Sequence, residues 1–211
     1  MAIINGTFNQ VVKATKNIGG ALVVFEGHPE LLVGGFNFDL NDLPAAGDVL
    51  PCGTPVHCDE ATRKITPIIT GKVVSVDGTT VTVEDNGFGN VPFKVGATVA
   101  ELPADLSSAA SYYATVSAKN GNVLTLSGAI TGLAANDVLV VVDADTKKVK
   151  AVPNALLPYD VVRDEAAISV DGDGMIANDR PVLERRMPAI NDAIKTAVQA
   201  NGHKIVFSDR K

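Results

Sequence analysis

Two cysteines and a histidine fall within seven positions of one stretch: Cys52, His57 and Cys58 in LPCGTPVHCDEATRKITP, residues 50–67. Thiolate and imidazole are zinc ligands and also the tools of thiol redox chemistry. Three readings therefore compete for the stretch: a metal site, a redox site, or a turn between strands that carries sulfur. A structural zinc wants four ligands, typically from two paired knuckles. Here only His28 and His203 could complete the set, and neither belongs to a knuckle. The spacing is not the C-x-x-C of a redox enzyme. A Cys52–Cys58 disulfide is sterically possible. The expected state is two reduced thiols packing as small apolar residues, with no metal and no cofactor.

Other candidate chemistry is thinner. DGDGM (171–175) offers Asp171 and Asp173 to a cation, but the calcium-loop series stops there and no closing glutamate follows. The plainer expectation is a turn after a strand AAISV. Asp39 and Asp42 could form a carboxylate pair, although loop solvation explains them as well. The chain has no G-x-S-x-G elbow, no H-E-x-x-H helix and no phosphate-binding glycine loop. A small hydrolase would need a clustered site that these residues do not supply, so the expectation is a protein that is not an enzyme.

The elements that must position these residues are short. The 211 residues are 46% hydrophobic and 20% charged, without tryptophan, and glycine-rich. β-branched residues broken by glycine favour strands and tight turns. A net charge of −6 argues against a nucleic-acid partner. The longest apolar runs, ALVVF and VLVVVD, are too short to span a bilayer, so no membrane partner is expected. MAIINGTFNQVVKATKN lacks the charged start and apolar core of a secretory signal, so a soluble chain made in the cytoplasm, where thiols stay reduced, is expected.

The chain divides into three parts. Residues 1–50 read as an extended N-terminal arm and first strands, with Phe36, Phe38 and Leu40 alternating as in a half-buried strand. Residues 51–70 and 143–211 read as a host β-domain. Its first piece is a strand, a turn at 59–62 and a return strand from Lys64. Its last piece carries one helix at about 188–201, with Met187, Ile190, Ile194, Ala197 and Val198 on one face and Pro188 in the first turn. Arg185 and Arg186 beside that start either meet a carboxylate or point into water. HKIVF then reads as a terminal strand. Residues 71–142 read as an inserted β-domain. VVSVDGTTVTVED (73–85) aligns with TVSAKNGNVLTLSG (115–128) if one residue is inserted, each copy a hairpin about a glycine turn. The copies can pair as halves of a small barrel or sandwich. A second repeat matches DEATRKITP (59–67) to DADTKKVKAVP (143–153), as related hairpins flanking the insertion. The fold class is mainly β, a β-rich α+β chain with a β-tulip or sandwich-like host.

The order of these elements resembles the head-decoration and head-fibre proteins of tailed bacteriophages. The resemblance rests on the phrase G-x-x-L-x-x-G-T-x-[VL]-x-x-D-x-x-[TS]-x-K, matched here by Gly47, Leu50, Gly53, Thr54, Val56, Asp59, Thr62 and Lys64. It covers about residues 47–67 and 143–207, and the 71–142 insertion departs from the smallest members. The resemblance implies a non-enzymatic virion protein, made in the host cytoplasm. It would bind the major capsid protein on the capsid exterior, often as a homotrimer. A carbohydrate-binding or adhesive β-module is the rival class, and a host-surface glycan could be a partner of the inserted domain.

The arm has its own implication. Ile3, Ile4, Phe8, Val11, Val12, Leu22, Val24 and Phe25 have no steady period that would bury them within one chain, which points to burial against another copy or the capsid.

Overall fold

The computed structural model describes residues 22–85, 87–167, 169–200 and 202–209. The strands are β1 (Pro29–Phe38), β2 (Val49–Leu50), β3 (Pro55–Asp59), β4 (Lys64–Pro67), β5 (Thr70–Asp77), β6 (Thr80–Val83) and β7 (Thr98–Glu101). They continue with β8 (Tyr113–Asn120), β9 (Val123–Leu126), β10 (Val138–Val142), β11 (Ala155–Leu156), β12 (Val161–Val162), β13 (Val170–Asn178) and β14 (Val182–Leu183). A helix α1 (Asp192–Gln199) and a last strand β15 (Phe207–Ser208) follow. The protein is mainly β, as expected.

The strands close two barrels. One has the order β1-β13-β11-β3-β4, with β1 and β4 parallel. The other is β10-β5-β6-β9-β8-β7. The host part is thus a barrel rather than a tulip or sandwich. The chain enters the second barrel on β5 and leaves it on β10, and these are neighbours: Leu139 lies opposite Gly71, and Val141 N–H donates to Ile69 O at 3.0 Å.

The second barrel is built twice over. In the β5–β6 hairpin Val73, Ser75, Val76 and Asp77 pair with Val83, Thr82, Val81 and Thr80; in β8–β9 Val116, Ala118, Lys119 and Asn120 pair with Leu126, Thr125, Leu124 and Val123. Every residue of the second set lies 43 positions after its counterpart (73 to 116, 83 to 126), and the bulge falls at the same place. No inserted residue is needed. Aligning VSV with VSA suggests one, but the turn glycines Gly78 and Gly121 set the register, at φ +59° and +58°. The third strand repeats as well. Val116 N–H donates to Ala97 O and Val73 N–H to Asp137 O; Gly96 and Asn136, both at positive φ, close matching turns. Equivalent residues then pair with each other, Val81 with Leu124 and Ala100 with Val140, so a pseudo-twofold axis runs through both pairs.

The interiors of the two barrels form one apolar cluster running from Phe36, Phe38 and Val56 to Val81, Leu124 and Leu139. α1 breaks the pseudo-symmetry by covering one outer face, where Ile194 packs with Ile68, Ala100, Leu102 and Val140. The helix is shorter than the sequence suggests. Pro188 disfavours helical backbone at the residue before it, and Met187 is extended at φ −107°, ψ 165°. The true N-cap is Asn191, whose side-chain oxygen accepts from Ile194 N–H at 3.1 Å. Glu184–Arg186 form a separate 3-10 turn.

Residues 24–38 are also more integrated than an arm. Phe25 pairs with Val182, Leu183 N–H donates to Val24 O, and Glu26 N–H donates to Pro181 O. Four residues on, Pro29 faces Asn178, four residues before Val182, so the same antiparallel register carries into β1–β13. Residues 24–38 and 170–183 are therefore one long ribbon. Val24 and Phe25 are buried with Cys52, Leu156, Met175 and Met187.

Candidate interaction surfaces

The eight residues of the family-like phrase are assembled in one region, and each has a structural task there. Gly47 sits at φ +85°, where a side chain is strained. Leu50 and Val56 are fully buried. Gly53 has φ +82°, and a Cβ there would lie 2.6 Å from Met187 Cβ. Thr54 is buried, its hydroxyl donating to Pro51 O at 2.6 Å. Asp59 accepts from Ala61 N–H at 2.9 Å and from the Thr62 hydroxyl at 2.7 Å. The Thr62 hydroxyl is the largest influence holding the Asp59 carboxyl below its ordinary value, followed by the Ala61 amide. Lys64 is exposed and 3.9 Å from Asp39.

The matching turn at Asp143 is the same device. Its carboxylate accepts from Thr146 N–H and the Thr146 hydroxyl, both at 2.8 Å. Arg63 and Lys147 stand at the same step with φ +55° and +59°. The second turn, however, extends the second barrel, because Val142 bridges Val149 directly after β10. It is not a hairpin of the host barrel.

The sulfur-bearing stretch does not converge. Cys52 and Cys58 are free thiols, and they are buried in different apolar clusters. Burial, with Asp173 and Glu60 nearby, pushes the Cys58 thiol up to about 12. His57 Nδ1 is 2.8 Å from Val152 O. Among the described residues no three of His, Cys, Asp or Glu group to hold a metal.

DGDGM is not a turn. It lies inside β13, where Gly172 and Gly174 face the host-barrel interior. A Cβ on Gly172 would lie 2.5 Å from Phe38 Cε2; on Gly174 it would lie 2.7 Å from Cys58 Sγ and 2.8 Å from Ala155 Cβ. Asp173 accepts from the Tyr159 hydroxyl at 3.0 Å. Asp39 and Asp42 are likewise separate. Asp39 caps Asn41 N–H, and Asp42 pairs with Lys150. Arg185 meets Asp209 at 3.0 Å, while Arg186 donates to the carbonyls of Leu22 and Val23. Of the arm residues, Ile3, Ile4, Phe8, Val11 and Val12 lie outside the described residues. Val24 and Phe25 are interior groups of this chain's own core, and Leu22 is half-buried.

Three surfaces escape sequence reasoning. Tyr112 and Tyr113, at the start of β8, are 58% and 47% exposed, with Lys147 Nζ 4.6 Å from the Tyr113 ring centre. Two adjacent tyrosines in a chain with 5% aromatics are the available signal. A cleft of about 340 Å³ opens between the barrels, with Leu43, Ile69 and Val141 in its wall and Lys94 and the Asp42–Lys150 pair at its rim. The third is an edge of β1. Its pairing to β13 runs along one side, and on the other side pairing with β4 begins only at Asn37.

No family model matches this chain, and no curated protein or solved structure does so either.

Proposed function

We propose that this chain is a non-enzymatic structural protein of a tailed-bacteriophage virion. In this reading it sits on the capsid exterior against the major capsid protein, as a homotrimer, and is made in the bacterial cytoplasm. The observation that carries the reading is how the N-terminal segment is attached. Val24 and Phe25 lock its base into the core, while Ile3, Ile4, Phe8, Val11 and Val12 ahead of that anchor supply apolar, β-compatible sequence. An extended segment tethered to a stable β-body gains binding energy by pairing its backbone with a foreign sheet edge. Supporting the same reading are the phrase from Gly47 to Lys64, which runs through β2 and β3 to the start of β4, and the acidic charge of the chain.

The direct test is co-sedimentation with empty capsids from the same genome. The full chain pelleting with capsids, and a chain lacking residues 2–20 remaining in the supernatant, is the expected result. A truncated chain that decorates like the parent overturns the arm mechanism.

A second reading has a specific observation behind it. Tyr112 and Tyr113 are exposed on the second barrel, the Tyr113 ring beside Lys147, and a sugar ring can stack on an exposed aromatic. An adhesive or glycan-binding role would follow. Binding to a glycan array that is lost in Tyr112→Ala/Tyr113→Ala supports it.

A further inference from the structure

β1 is the longest strand among the described residues, with 10 residues, yet most of it is paired on one side only. Leu31 and Leu32 pair with Met175 and Gly174, then the register jumps to Phe36 opposite Gly172. Residues 33–35 therefore face a single residue, Asp173, and residues 29–35 have no strand on the other side among those described. Backbone N–H and C=O groups along such an exposed edge are satisfied by water or by an added strand. Exposed edges are usually guarded by proline, charged side chains and bulges. Here proline and glutamate stand only at the first two positions of PELLVGG and bulges follow Glu30 and Leu32, so residues 31–35 carry no charge and no proline. The opposite margin of the ribbon is occupied, by β15 at Val182–Leu183 and by Lys204 at Ala177.

We infer that the free edge of β1, residues 29–35, receives the N-terminal segment (residues 2–20) of a second copy as an added strand. The inference rests on the arm mechanism proposed above and identifies its acceptor. Donor and acceptor lie on the same strand line, because residues 24–26 continue β1 along 181–183. Each copy can therefore give one segment and accept another, which makes a closed ring when the rotation between copies closes. A copy's own segment is poorly placed for this edge. Arg186, which follows β14, holds the Leu22 and Val23 carbonyls, so the chain departs beside the 170–183 strand rather than beside the free edge. Reach is sufficient: about 19 extended residues (2–20) span roughly 65 Å, against a radius of gyration of roughly 17 Å for a body of this size.

The test is hydrogen exchange on the full chain and on a chain lacking residues 2–20, with mass measured by light scattering. The expected result is an oligomeric full chain whose 29–35 amides exchange at least tenfold more slowly than in a monomeric truncated chain. A synthetic peptide of residues 2–20 restores that protection in trans. Equal exchange at 29–35 in the full and truncated chains overturns the inference. So does protection in a full chain that is monomeric, which would mean that the segment folds onto its own edge. The two proposals fail separately. Loss of capsid binding on truncation with unchanged exchange at 29–35 leaves the capsid role standing without this acceptor. Arm-dependent protection in a chain that never binds capsids does the reverse.

Discussion

Lys119 and Asp48 form an ion pair almost wholly out of solvent, with 12% and 10% of their side chains exposed. Asp48 belongs to the loop that leads into the host barrel, and Lys119 to β8 of the second barrel. Asn90 donates to the other carboxylate oxygen, and Lys119 also donates to Val91 O at 3.1 Å. Lys119 is the counterpart of Val76 in the other half of the second barrel. The ammonium thus replaces an apolar group in only one copy, the one that meets the host loop.

Removing one partner of such a pair strands a buried charge. Asp48→Ala is expected to destabilise the chain by about 3 kcal/mol or more, whereas Asp48→Leu with Lys119→Met should recover most of that loss. Urea denaturation of the single and double variants measures the difference. Additive losses in the double variant would show that the pair is not coupled.

The glycines of β13 make a second prediction. Neither Gly172 nor Gly174 is among the positive-φ glycines, so alanine is acceptable to the backbone at both. What it meets is Phe38 in one case and Cys58 with Ala155 in the other. Gly172→Ala and Gly174→Ala should each cost roughly 1–3 kcal/mol by overpacking. Ala155→Gly should rescue part of the Gly174→Ala loss and none of the Gly172→Ala loss. Equal rescue of both would refute the contact geometry.

Cys58 gives stability a pH dependence with a definite sign. Its thiol is raised from 9.0 to about 12 in the folded chain, so between those values the folded state keeps a proton that the unfolded state releases. Stability is fully present below pH 9 and should fall by about 1.4 kcal/mol per unit as pH rises above it. Cys58→Ala should flatten that slope. Native Cys58 should also resist a thiol reagent at pH 8 until the chain unfolds.

Local patterns were legible in the sequence where local chemistry decides the structure. Phe36 and Phe38 alternate because β1 has one face inside the barrel, and Gly78 and Gly121 mark hairpins because their turns need positive φ. Asp59 and Asp143 announce one turn twice because each carboxylate caps its own following amides. Long-range causes leave no such trace. The glycines of DGDGM resemble a turn, but they are required by Phe38 and Cys58, both more than 100 positions away. Val24 and Phe25 are consecutive and both buried, so neither helical nor strand period could find them. The unpaired edge of β1 was invisible for the same reason, since an edge is defined by the strands that do not lie beside it.

The span between β1 and β13 also governs the order in which the molecule can be made. Phe38 pairs with Val170, 132 positions later (170 − 38). A ribosome adding about 5–20 residues per second leaves β1 without that partner for about 7–26 s. The second barrel is complete at Val142, so it can close while the host barrel still lacks its final strands. During translation β1 therefore emerges early and is among the last of the described strands to gain its main partner. Until then LLVGGFNF is an apolar strand without its main partner on a nascent chain, open to holdase chaperones and to aggregation.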